Sequence, residues 1–335
     1  MKITIKDVAK KAGVSTTTVS MVLNNADFKI SKKTRDKVLK SAEELNYVPN
    51  KIARSLVMQN TKIIALIVPD ISNPFYPEIA KYVDIYASKR NYNVILINSN
   101  DIENLDDIEK NLLATNLIDG VLVVSINIAQ YIKNNKRLRN LKVVYLDEFI
   151  GVSEDANTYI VSGDSEKGGY LAGKYLLELG HRNIGCVIGP RGTFNSNRRL
   201  SGFLNSFMEE GLYLKPENIV HGNYTYLGGY EAGMYLLEQG VTAAFCFNDL
   251  SAYGAIKAFR EKNKNVPDDI SVIGYDNLYM TEFIEPYLTT VDQNSMEIAK
   301  EATNLLIDQI ENKKIKNKEI LVAPKLIKRD TTIAL

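Results

Sequence analysis

Seven short apolar runs constrain this chain more than any other feature. KIIALIVPD, YNVILINS, DGVLVVS, KVVYLDE, RNIGCVIG, AAFCFND and SVIGYDN follow one another through residues 61–280. Each is apolar without the in-out alternation of a half-exposed strand, as expected of strands covered on both faces. Amphipathic helical stretches lie between them. The pattern predicts an open α/β architecture with parallel sheets, helices on both faces, and two successive units. Ligands of such sheets bind beyond the carboxyl ends of the strands.

The first 48 residues follow a different rule. Ile5, Val8, Ala9 and Ala12 fall on one stripe of a helix that Thr4 caps and Gly13 ends. Ser15 caps a second helix over about Thr16 to Leu23, with Val19, Val22 and Leu23 turned inward. Only Gly13-Val14-Ser15 separates the two, the signature of a helix-turn-helix. A third helix starts at Ser31 and buries Val38, Ala42 and Leu45; Pro49 ends the segment. In such a unit the amino end of the second helix enters the DNA major groove. Here that end reads Thr16-Thr17-Thr18-Val19-Ser20. Ser15 serves as a cap, while Thr16 and Thr17 are free for base contact because the reading position leaves them no packing duty.

Charge supports this division. Net charge is only +1, but residues 1–60 hold 12 basic and 5 acidic side chains, and residues 61–335 hold 29 and 35. A basic head on an acidic body puts the polyanion at the head. Cys186 and Cys246 sit in apolar runs and read as buried hydrophobes, with no disulfide framework. No stretch reaches the roughly 20 apolar residues of a membrane span, and the start has no secretory character, so the expected location is cytoplasmic.

Residues 168–180, GGYLAGKYLLELG, and 228–240, GGYEAGMYLLEQG, agree at ten of thirteen positions. They predict one helix-packing solution used twice. Gly168 to Lys174 also spells most of a phosphate-binding loop. Tyr175 stands where such a loop needs Ser or Thr, the echo has Met234 in place of the Lys, and the stretch reads as helix interior. The two histidines, His181 and His221, have no nucleophile or metal partner nearby in sequence. No catalytic residue, metal or cofactor is assigned.

The run TIKDVAKKAGVSTTTVSMVLNN, with ISKKTRDKVLKSAEELNYVPNKIARSL after it, closely resembles the head of the LacI/GalR family of bacterial transcriptional regulators. The body resembles the same family, and through it the periplasmic sugar-binding proteins, in PDISNPFY, Asp164–Gly168, RLSGF, FNDLSAYGA, VIGYDN and LTTVDQ. The resemblance implies an all-α helix-turn-helix head (1–48), a hinge (49–60), and a two-lobed periplasmic-binding-protein-like effector and dimerisation domain (61–335). Lobe 1 would take about 61–160 and 294–321, and lobe 2 about 161–290 and 322–335. It implies DNA contacts from Thr4, Ser15, Thr16, Thr17, Thr18, Ser20, Met21 and Asn24, and from Lys51, Arg54 and Leu56 in the hinge, Leu56 as a minor-groove wedge. Met21 departs from the Arg common in the family at that position and cannot donate a hydrogen bond to a base.

For the cleft, the resemblance implies Asn73, Phe75, Asp147, Arg199, Tyr224, Asn248, Asp276 and Gln293 as ligand-binding groups, with Asp249 as a helix cap. Their chemistry suits a polyol, and a sugar is the expected effector; Glu148 departs from the Arg usual in sugar-binding relatives. The expected function is a sequence-specific repressor whose affinity for a pseudo-palindromic double-stranded operator is set by this small molecule. The alternatives are a purine-, nucleoside- or sugar-phosphate-responsive regulator, and a solute-binding transport protein, which the head opposes. With no Leu heptads after the last strand, a homodimer is expected rather than a tetramer.

Overall fold

The structure is a computed structural model that describes residues 3–23, 30–47, 60–99, 117–124, 126–138, 140–146 and 158–335. Asn24, Lys51, Arg54, Leu56, Asp147 and Glu148 lie outside the described residues. The chain divides into two compact units, Met1–Thr61 and Lys62–Leu335.

Among the described residues the first unit holds three helices: α1 (Ile5–Ala12), α2 (Thr16–Leu23) and α3 (Lys32–Glu44). Thr4 donates from its backbone N (2.9 Å) and its hydroxyl (2.7 Å) to Asp7 Oδ2, which satisfies the entry to α1. Those bonds hold the Asp7 carboxyl below its ordinary range. Gly13 ends α1 at φ +64°, a left-handed turn open to Gly at no steric cost. Thr18 N donates to Ser15 Oγ (3.1 Å) and Thr34 N to Ser31 Oγ (3.2 Å), so both predicted caps are present. Val8, Ala12, Val19, Val22, Val38 and Ala42 are buried together at the centre.

The second unit holds two six-stranded sheets. The first has the order β11-β5-β4-β3-β1-β2, from β1 (Ile63–Val68), β2 (Asn93–Asn98), β3 (Gly120–Val123), β4 (Lys142–Leu146), β5 (Ile160–Gly163) and β11 (Glu319–Val322). The second has the order β12-β10-β9-β8-β6-β7, from β6 (Ile184–Ile188), β7 (Ile219–His221), β8 (Ala243–Cys246), β9 (Ser271–Tyr275), β10 (Thr289–Asp292) and β12 (Lys325–Ile327). The chain passes between the sheets three times, after β5, after β10 and after β11. The reason for the apolar runs is visible in β1: Ile64, Leu66 and Val68 join one core, Ala65 and Ile67 the core on the opposite face. Helices α4 (Phe75–Lys89), α5 (Ile126–Asn134) and α10 (Ser295–Ile310) accompany the first sheet. The second sheet carries α6 (Ser165–Glu178), α7 (Phe194–Glu209), α8 (Tyr226–Glu238) and α9 (Asp249–Glu261).

Two strands depart from the sequence expectation. β2 ends the strand order of its sheet and leaves Leu96 41% exposed, so its apolar run is only half covered. β12 pairs antiparallel with β10, through Thr290–Ile327 and Asp292–Lys325, and the second sheet is therefore mixed at that edge. The expectation for the two cysteines holds. Cys186 and Cys246 are free and fully buried, on opposite faces of the second sheet, where burial pushes both thiols far above their ordinary range. The Gly168–Lys174 stretch lies inside α6, with Gly168 against the Tyr275 ring and Gly169 against the Arg199 carbonyl, and it offers no phosphate cradle.

Candidate DNA-reading helix and effector cleft

At the amino end of α2, Thr16 and Thr17 are exposed, whereas Thr18, Ser20 and Met21 are half-buried. Thr18 is tied to Ser15, hydroxyl to hydroxyl at 2.9 Å as well as through its backbone N–H. That leaves Thr16 and Thr17 as the freest side chains at an end where the helix dipole favours phosphate. Thr4 is exposed at the start of α1, with its hydroxyl committed to Asp7.

In the second unit, the predicted cleft residues of the second sheet gather at the carboxyl ends of its strands. Gln293, just past β10, donates from Nε2 to Asp276 Oδ1 at 2.7 Å, just past β9. Both are buried, and the Gln293 Oε1 atom has no hydrogen-bond partner. Asp276 and Asn277 have φ of +113° and +56°, two successive left-handed residues. Such conformations cost roughly 1–3 kcal/mol each and persist only where the surroundings over-determine them. Arg199 lies in the second turn of α7. Its guanidinium stands 3.7 Å from the Tyr275 ring centroid and 5.7 Å from that of Tyr224, and donates to the Phe247 carbonyl. Tyr224 in turn lies over Gly189, where a Cβ would stand 2.3 Å from the phenol carbon.

Asn248 is the cap of α9: Oδ1 accepts from Ser251 N at 3.1 Å, and Nδ2 donates to the Tyr224 carbonyl at 2.9 Å. The cap expected at Asp249 is therefore one residue earlier. Asp249 instead is wholly buried. Its Oδ1 accepts from Thr290 Oγ1 (2.6 Å) and its Oδ2 from Leu278 N (2.8 Å). Burial pushes this carboxyl up to about 7, against the opposing pull of the Thr290 bond. Near β1, Asn73 Oδ1 accepts from Phe75 N (3.1 Å), and Phe75 is 5% exposed within the core beside the first sheet. Its neighbour Tyr76, 5.3 Å away ring to ring, is the more accessible of the pair. Sequence reasoning missed Tyr275, read only as strand, and Leu278, which crosses to the first lobe and joins the core of Phe75 and Ile79.

The head matches the model of bacterial regulatory proteins, lacI family, over residues 4–50, and the body matches a periplasmic binding protein-like domain over 174–332. An HTH-type transcriptional repressor PurR of Histophilus somni is 38% identical, covering 99% of both chains. The chain belongs to the lacI family. A lac repressor dimer bound to operator and the anti-inducer ONPF has the same fold, with TM-score 0.86 and 27% identity across 100% of both chains. A LacI-family regulator of Enterococcus faecium with bound ribose aligns at TM-score 0.72 and 30% identity, over 82% of this chain and 99% of that one. This lacI-family protein is a sequence-specific DNA-binding transcriptional regulator controlled by a small-molecule effector, and not an enzyme. Among the described residues no helix is long and apolar enough to cross a membrane.

Proposed function

We propose that this regulator is a cytoplasmic repressor whose operator affinity is set by a small sugar bound between the lobes. The observation that carries the reading is the Gln293–Asp276 pair. It sets together an amide oxygen that lacks a donor and a buried carboxylate, one residue past Tyr275, whose ring centroid lies 3.7 Å from the Arg199 guanidinium. A vicinal diol supplies what such a group set needs, two hydroxyl donors that also accept. The ribose complex of a relative at 30% identity supports the same class. A second reading, a purine or nucleoside, draws on the aromatic faces of Tyr224 and Tyr76, which suit a flat heterocycle.

Two copies bind a pseudo-palindromic operator, each head in one half-site, with Thr16 and Thr17 reading bases. Tyr226 and Leu227 on α8, 46% and 63% exposed, and Tyr279 and Phe283, 74% and 58% exposed, supply the apolar area for pairing.

The test is a thermal-shift panel of D-ribose, D-glucose, cellobiose, ribose 5-phosphate, hypoxanthine and guanosine. A ligand that binds only the folded state raises the melting temperature as RT ln(1 + [L]/Kd). The expected result is a shift with a sugar that Asp276→Ala abolishes. A shift with hypoxanthine or guanosine alone overturns the sugar assignment and keeps the regulator.

A further inference from the structure

The turn that carries Asp276 also joins the two lobes. Its next residues, Asn277 and Leu278, lead into a short turn of helix at Tyr279–Glu282. Leu278 is 2% exposed and buried in the core of the first lobe. The Tyr279 backbone N–H faces the Glu78 carboxylate on α4, which accepts from Ser295 Oγ at 3.1 Å. Met280 packs against cores of both lobes. Only Asn277 therefore separates the proposed effector carboxylate of Asp276 from Leu278, an apolar anchor in the other lobe.

A fully buried side chain in the second lobe grips this turn. Asp249 accepts from Leu278 N with one oxygen and from Thr290 Oγ1 on β10 with the other. Thr290 Oγ1 in turn accepts from Asn277 N at 3.4 Å. On β9, a Cβ at Gly274 would stand 2.2 Å from Asp249 Oδ1, so the strand is notched to admit the carboxylate. From the far side, Arg329 Nη2 donates to Asn277 Oδ1 at 2.8 Å. The buried Asp249 carboxylate thus ties Leu278 to Thr290 of β10 beneath the left-handed pair Asp276–Asn277, and Thr290 and Arg329 hold Asn277 directly.

We propose that Asp249 is a positioning residue for effector binding: it fixes the Asp276 carboxylate in the cleft and, through Leu278, the point at which that carboxylate is coupled to the first lobe. The inference rests on Asp276 being an effector contact. Asp249 itself touches no ligand, because it is fully buried beneath the turn. Its two acceptor oxygens fit the two donors one to one, a match the amide of Asn does not reproduce, since Asn keeps one acceptor oxygen only.

The experiment compares Asp249→Asn, Thr290→Val and Thr290→Ser in the full-length protein by hydrogen exchange, with peptides from residues 275–282 and from β6 and β8. Asn and Val are expected to speed exchange in 275–282 about tenfold or more while β6 and β8 stay at the wild-type rate. Ser keeps the hydroxyl and restores the slow rate. Exchange that is unchanged in 275–282, or faster to the same degree in β6 and β8, overturns the proposal, the second result marking an ordinary core residue. Calorimetric titration with D-ribose adds the functional arm. Asn and Val weaken binding about tenfold, and unweakened binding by variants with a loosened turn overturns the proposal. Failure of the wild-type protein to bind D-ribose counts against the sugar reading alone, and the exchange result then decides the role of Asp249.

Discussion

The helix pairs α6–α7 and α8–α9 are built alike inside and differ outside. In the first pair Gly169 meets the Arg199 carbonyl and Gly202 meets the Glu166 carbonyl; in the second Gly229 meets the Ser251 carbonyl and Gly254 meets the Tyr226 carbonyl. Tyr170 donates to Glu209 and Tyr230 to Glu261, both at 2.6 Å. Where the first pair has a half-buried Glu166, paired with Arg198, and an exposed Lys167, the second shows Tyr226 and Leu227 to solvent. The glycine notches fix the close approach of the axes, and nothing in that geometry dictates the outer face. The echo is therefore a packing device, and the outer faces differ while the packing is kept.

The largest effect expected follows from the notches. Gly202→Ala and Gly254→Ala place a Cβ 1.7 Å and 2.0 Å from a backbone carbonyl oxygen, which no rotamer change relieves. Each is expected to cost about 3 kcal/mol or more in urea unfolding, and by similar amounts. A tolerated alanine in one pair and not in the other breaks the equivalence.

A smaller effect tests the outer faces. Leu227→Asp is expected to weaken dimerisation about thirtyfold by sedimentation equilibrium, near the 2 kcal/mol of a well-buried contact. The counterpart Lys167→Asp is expected to leave it unchanged. Equal losses, or none, would remove the distinction drawn between the two surfaces.

The smallest effect concerns the third residue past each helix, His181 after α6 and Val241 after α8. Both are buried. His181 Nδ1 pairs with Thr242 Oγ1 (3.0 Å), and Nε2 with Ser271 Oγ and the Ile333 carbonyl (both 3.1 Å). Burial lowers its pKa from 6.5, so the fold favours the neutral ring. The unfolded chain binds the proton more readily; stability from His181 is therefore present above pH 6.5 and lost as pH falls below it. His181→Val, which makes the first site like the second, is expected to flatten this part of the pH profile of Tm. It also costs about 1–2 kcal/mol at neutral pH through the orphaned hydroxyls. An unaltered slope would show that another group sets it.

Much of this was legible along the chain because its causes are local. Gly13, Ser15 and Ser31 announced helix ends through backbone and capping chemistry that acts within four residues. The strands were legible because both faces of β1 and β8 are covered, whereas the edge position of β2 leaves no mark within YNVILINS. The cleft was legible as a set of residue types at strand ends, yet their division of labour was not. Asn248 and Asp249 are adjacent and both polar. Only the approach of Thr290 and Leu278, 41 and 29 residues away, makes one a cap and the other the grip on a turn.

The two-part organisation, the helix-turn-helix, the doubly covered sheets and the repeated helix pairing are written along the chain itself. Each follows from periodicity, capping or the absence of a side chain, all of which are properties of short stretches. Tertiary structure alone decided that β12 runs antiparallel, that Leu278 from one lobe completes the core of the other, and that Asp276 meets Gln293. Those outcomes depend on which distant groups share a buried volume, and burial is where an unmatched hydrogen-bonding group costs most.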